Sequence, residues 1–134
     1  MPRPLIAYVA ALLAVGVLDY LWLRVIATSW YEGGIGHLMA AKPNLWAAAA
    51  FYFLYPIGLV VFAALPANGD LVKALALGAL FGLFCYGTYD VTNLAIMKDW
   101  PVGLTFIDMA WGAFVSAAGA GAAAFAMSWL SSRT

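Results

Sequence analysis

Apolar positions along the chain fall into four long runs, separated by short polar or turn-forming stretches. The runs extend from Leu5 to Ala27, from Asn44 to Ala64, from Leu71 to Met97 and from Pro101 to Leu130. Each reaches the roughly 20 residues that a helix needs to cross a hydrocarbon layer. Backbone groups in lipid find no water, so such runs predict helices that satisfy their own hydrogen bonds. The pattern predicts an all-α integral membrane four-helix bundle, a single transmembrane domain over residues 1–134. An even number of crossings puts both termini on the same side.

The connections differ in character. Thr28 to Pro43, TSWYEGGIGHLMAAKP, is the longest. Trp30 and Tyr31 suit a membrane interface. Gly33, Gly34 and Gly36 argue against a continuous helix there, and a short interfacial segment is expected around His37 to Ala41. LPANGD, from Leu65 to Asp70, is a turn with Pro66, Asn68 and Gly69 as breakers. KDWP, from Lys98 to Pro101, is tight, and Pro101 fits the first turn of the next helix. The third and fourth runs are therefore expected to form an antiparallel hairpin. The apolar N-terminus imitates a secretory signal, but its run is long and no small-x-small cleavage pattern precedes Asp19, so it reads as a retained first span. Gly112, Ser116 and Ala120 recur at the four-residue spacing of close helix contact, within the chain or between two copies.

Composition sharpens the membrane assignment. Hydrophobic residues make up 66% of the chain and charged residues 9%, where a soluble domain is roughly half apolar and a quarter charged. The net charge is +0 and no basic run exists, which excludes nucleic acid as a partner, because phosphate neutralisation needs clustered Lys and Arg. Cys85 is the only cysteine, so no internal disulfide or thiolate cluster forms, and its setting, LFCYG, reads as a packing position. Arg3, Lys73 and Arg133 fall on the terminal side and Arg24, Lys42 and Lys98 on the other. That balance leaves the membrane orientation open.

Against this background the polar residues inside the runs stand out. At about 1.5 Å per residue, Asp19, Asp90 and Asp108 each lie about 10–12 Å inside the surface that carries the first and third connections. Three carboxyls on three helices thus share one depth. Tyr52 and Tyr55 lie at roughly 12–16 Å, with Arg24 and Asn93 a turn nearer the surface. Tyr86, Tyr89, Asp90, Asn93 and Met97 form one stripe, and Thr105, Asp108, Trp111 and Gly112 another. Asp19 shares a face with Gly16, Trp22 and Leu23. Pro56 cannot donate to the helical ladder, which frees the Tyr52 carbonyl.

A charged Asp at mid-membrane costs at least about 2.5–3.5 kcal/mol. Arg24 is the one cation near enough to neutralise one of the three. At least one is therefore expected to carry a proton, to share one, or to meet a bound cation. Ionisable intramembrane residues mark functional sites by default, and aromatics at the same depth can wall a small ligand. The expected ligand or proton site is Asp19, Asp90 and Asp108 with Asn93, Tyr52, Tyr55, Tyr89 and Trp111. Trp22, Arg24, Tyr86, Thr92 and Thr105 are secondary candidates. A polar network that only holds helices together is the plainer alternative.

No catalytic, phosphate-cradling or haem-attachment motif occurs. Closely paired aspartates of a divalent-metal site are also missing, so no metal or cofactor is assigned. The expected function is binding or proton-coupled translocation of a small molecule or lipid. The alternatives are a membrane enzyme acting on a lipid or isoprenoid, or an accessory subunit of a membrane complex. The expected partners are the lipid bilayer, a small-molecule or lipid ligand, and a second copy or a larger membrane complex.

The string YGTYDVTNLAIMKDWPVGLTFIDMAWG, with DYLWL before it in the first run and FYFLYPIGLVVF in the second, resembles the bacterial four-helix membrane family catalogued as domain of unknown function 2177. Its most specific part is Y-D-x-T-N-x-A followed by W-P and D-x-x-W-G. The family pattern falls on Asp19, Trp22, Tyr52, Tyr55, Tyr86, Tyr89, Asp90, Thr92, Asn93, Trp100, Asp108 and Trp111. The resemblance covers nearly the whole chain. It implies four spans in a bacterial inner membrane and no particular activity.

Overall fold

A computed structural model describes residues 3–133, with side chains as far as Ser131; the place of the Arg133 side chain in the charge balance lies outside the described residues. Four helices are long and apolar enough to cross a membrane: Arg3–Ile26, Leu45–Ala67, Leu71–Ile96 and Val102–Ser131. We call them the first to fourth spans. The shortest, at 23 residues, reaches about 35 Å at the helical rise, beyond a hydrocarbon core of about 30 Å. Among the described residues there is no strand, and the all-α four-helix membrane fold expected from the apolar runs is the one observed.

The side chains are sorted by size in the reverse of a water-soluble protein. The interior is built largely of small residues, among them Ala7, Ala11, Ala63, Ala74, Ala120 and Ala123. Large apolar residues point outward: Phe84 is 65% and Phe125 62% exposed. An aqueous protein rarely leaves contiguous apolar area of this kind uncovered, whereas lipid solvates it at no cost. The interior can then be packed by close backbone approach.

The fourth span is the axis of the bundle. Against the third it forms the expected antiparallel hairpin, since Gly78 meets Ala120, Gly82 meets Gly112 and Ser116, and Gly87 meets Met109. A Cβ on Gly78 would lie 2.7 Å from the Ser116 carbonyl oxygen. The small-residue repeat of the fourth span is therefore spent inside the chain. On its other side, Gly119 lies against Val15 of the first span and Leu59 of the second. Ala7 and Ala11 pack with Val60, Ala64, Ala123 and Met127 at one end. Val15, Tyr55, Leu59 and Val115 pack nearer the middle.

Two local departures from the α-helix interrupt the first and second spans. Trp22–Ile26 forms a π turn, in which the Ala27 amide donates to the Trp22 carbonyl at 2.7 Å. Thr28 Oγ1 donates to the loosened Leu23 carbonyl at 2.5 Å. A second π turn, Val60–Ala64, follows Pro56 in the second span. Proline removes one ladder donor and crowds the preceding turn, and the hydroxyl of Tyr8 donates to the Phe53 carbonyl at 2.8 Å. The proline-loosened turn thus finds a side-chain donor one residue beyond the Tyr52 carbonyl expected to be free. Close approach between the second and third spans is chiefly along Val60–Ala64. Toward the other end the backbones diverge, and the two spans meet through side chains, Tyr55 against Phe81 and Tyr86.

The longest connection corrects one expectation. Thr28–Ile35 is a continuous helix that includes Gly33 and Gly34, followed by a 3-10 turn, Gly36–Leu38. Packing overrides glycine's low propensity here. A Cβ on Gly34 would lie 3.1 Å from both Pro101 and Leu104, so glycine lets this connecting helix lie against the start of the fourth span. His37 Nε2 lies 3.6 Å from Asp99 Oδ2, which ties the first connection to the third. Asn44 and Asp70 cap their helices by accepting from the Ala47 and Lys73 amides, each at 3.1 Å. The LPANGD segment stays helical through Ala67, then turns on Asn68 and Gly69 at positive φ.

Candidate functional site

Where the second span stands away from the third, the bundle encloses a cavity of about 630 Å³. The first span contributes Asp19, Trp22 and Leu23, and the connecting helix Tyr31. The second contributes Phe51, Tyr52 and Tyr55. The third adds Cys85, Tyr86 and Tyr89, and the fourth Asp108 and Trp111. The floor is closed by the Val15, Leu59 and Val115 cluster. Just above it the Tyr55 and Ser116 hydroxyls lie 2.5 Å apart in a hydrogen bond.

Two carboxyls organise the polar end. Each Asp19 oxygen has a donor: Tyr52 donates to Oδ2 at 2.8 Å and the Trp111 indole N–H to Oδ1 at 2.7 Å. Asp108 accepts from the Tyr31 hydroxyl, which itself accepts from the Trp22 indole N–H at 3.0 Å. The two nodes are joined by their indoles, since Trp22 and Trp111 stack with centroids 4.4 Å apart and planes 4° from parallel. Every crossing helix but the third supplies a donor or acceptor to this chain. The third supplies Asp90, which is 1% exposed. Its Oδ2 is buried with no N–H or O–H donor in reach. Its electrostatic neighbour is the Asp108 carboxyl.

Tyr31 lies outside the spans, and burial, followed by its bond to the Asp108 carboxylate, pushes its phenol well above the ordinary tyrosine range. Tyr31 therefore stays a neutral donor, which is the form that holds Asp108.

The structure gathers most of the residues singled out by depth. Asp19, Asp108, Tyr52, Tyr55, Tyr86, Tyr89, Trp22 and Trp111 line one cavity, with Asp90 directly behind Asp108. Others fall elsewhere. Asn93 is partly buried a turn further along and does not line the cavity. Thr92 is exposed and donates back to the Thr88 and Tyr89 carbonyls of its own helix. Thr105 is buried and donates to the Pro101 carbonyl at 2.8 Å, which secures the helix start. Arg24, expected to neutralise an aspartate, is exposed on the π turn and makes no ion pair among the described residues. The π turn changes the helical register after Leu21, so a depth count cannot foresee which way Arg24 points. Gly16 faces open space, because the buried row of the first span is Ala7, Ala11, Val15 and Asp19.

Leu23, placed on the Asp19 face by its spacing, joins the lining, and Tyr31, Phe51 and Cys85 join it without being singled out as site residues. For Tyr31 a signal existed: the connection is too long for a turn, and it opens with an aromatic pair. Phe51 carries no polar mark that separates it from lipid-facing neighbours. Among the described residues no three His, Cys, Asp or Glu side chains are grouped as a metal site.

Residues 4–125 match the family described as Predicted membrane protein (DUF2177). The chain belongs to that family, and it is a membrane protein in contact with the lipid bilayer. No curated protein and no solved structure matches the chain.

Proposed function

We propose that this family member binds a small molecule or lipid in the Asp19–Asp108 cavity and exchanges it against a proton, within a bacterial inner membrane. The observation that carries the reading is the cavity itself. Its volume, about 630 Å³, falls within the roughly 300–1,000 Å³ of small-molecule sites. Like such sites, it has mostly apolar and aromatic walls and a few converging polar groups. A network that served only to bind helices together would gain from closing this space, because each buried methyl-sized void costs about 1 kcal/mol.

The proton has a place in the same geometry. Asp108 lines the cavity and Asp90 interacts with it electrostatically, so a ligand that enters displaces a proton from the pair to water and the pair takes one up again when the ligand leaves. The proton neutralises a charge that is costly at this depth. The structural reading is favoured by one observation, the hydrogen bond that each Asp19 oxygen accepts from another span. The two roles coexist: Asp19 anchors the walls and the Asp90–Asp108 pair serves exchange.

The test is native mass spectrometry of the protein extracted gently from its own membrane, beside Asp90→Asn and Asp108→Asn. A discrete copurifying mass, lost in either variant while its helical circular dichroism and melting transition persist, is the expected result. Bare protein in all three samples would count against the binding site and leave the structural network.

A further inference from the structure

The proposed binding reading leaves the ligand's chemistry open, and the lining narrows it. No Lys, Arg or His side chain lines the cavity, while two carboxyls do. Arg24 is exposed, and the imidazole of His37 is engaged by Asp99 at the surface. An anionic headgroup would therefore enter a low-dielectric space that holds only like charge, with no cation to offset its desolvation. A cation meets the opposite conditions. Carboxylate and ring π faces are both negative, and a desolvated cation gains from each.

The geometry supplies those faces. Tyr52 and Tyr55 come from the second span, Tyr86 and Tyr89 from the third, and the stacked Trp22 and Trp111 from the first and fourth. Access points to the same class. The second and third spans approach mainly at Val60–Ala64, and away from that contact the cavity is bordered by Phe51, 39% exposed, and Tyr89, 53% exposed. Both residues lie within spans, so their exposed sides face hydrocarbon. A ligand entering this way dissolves in lipid yet carries charge.

Building on the proposed binding function, we infer that the cavity accepts a monovalent organic cation with a bulky apolar body, an amine or onium compound, and rejects anionic lipids of the same size. The aromatic walls hold the body, and Asp108 neutralises the charge.

Two probes of nearly identical shape and opposite charge test this: tetraphenylphosphonium and tetraphenylborate. Their binding to the purified full-length protein in neutral detergent is measured by titration calorimetry. The phosphonium is expected to bind and the borate not to. Asp108→Asn is expected to weaken the phosphonium at least about thirtyfold, the low end for removing one partner of a buried charge pair. Asp108 accepts a hydrogen bond from Tyr31, so that variant can lose its fold. Tyr89→Leu, at a half-exposed wall residue, is then the second variant and is expected to cost about fivefold or more. Equal binding of the two probes, no phosphonium binding, or unchanged affinity in both folded variants would overturn the cation assignment. A neutral or anionic lipid copurifying with the wild type, together with failure of the phosphonium, would remove the cation and keep the binding site. Neither lipid nor phosphonium binding would remove both.

Discussion

At the scale of single residues, the site turns on which groups stay neutral. Tyr31 donates to Asp108 only while protonated, and its raised pKa makes that a statement about stability. The folded state holds the phenol above an unfolded value of about 10. Its contribution is therefore fully present below about pH 10 and is lost as the pH rises toward the folded value. We expect the melting midpoint to fall between pH 8 and pH 11. In Tyr31→Phe the fall should be smaller and the midpoint at pH 8 lower, by the roughly 1.5–3 kcal/mol of a hydrogen bond to a charged acceptor. Parallel pH profiles for the two proteins would show that Tyr31 does not hold Asp108. The three aspartates were legible in the sequence because charge at mid-membrane has few excuses. Tyr31 was less so, since an aromatic just past a span has the ordinary explanation of an interface anchor. Arg24 misled for the opposite reason: its depth was right, but a π turn decides its direction.

Among whole elements, the glycines separate two kinds of helix contact. Gly82 is closed in by the Gly112 carbonyl and the Ser116 side chain, and neither backbone can give. A Cβ added to Gly33 in the connecting helix would meet nothing within 4 Å. Gly82→Ala should therefore lose about 1–3 kcal/mol from overpacking, while Gly33→Ala should gain about 0.5–1 kcal/mol through helix propensity. Melting midpoints shifting in opposite directions would express this, and equal shifts would mean the third and fourth spans are not closely locked. Four apolar runs of the right length announced the spans, and the tight KDWP turn announced the hairpin. The connecting helix stayed hidden because local propensity opposes it and only its contact with Pro101 and Leu104 stabilises it. The π turns were equally hidden, since they arise from the balance of packing along a whole helix.

Considered as a whole molecule, the bundle is tight at the Ala-rich end and parted at the other. Cys85, the only cysteine, lines the parted end and tests its access. An apolar maleimide dissolved in the bilayer should label it faster than a sulfonated maleimide added from water. Equal rates would place the entrance at the aqueous surface instead. Prior apolar-cation binding should slow the apolar reagent. The cavity's depth was foreseeable from three carboxyls at one level, but its opening depends on how far the second span leans, and no residue pattern encodes that directly. The stacked indoles of Trp22 and Trp111 have a separate consequence for how the folded protein meets light. Two chromophores 4.4 Å apart and nearly parallel share their excitation, and dipolar coupling decays with the cube of distance. The first and fourth spans thus write their contact into the ultraviolet spectrum as an exciton signal that neither helix carries alone, a built-in optical gauge of whether the cavity is assembled.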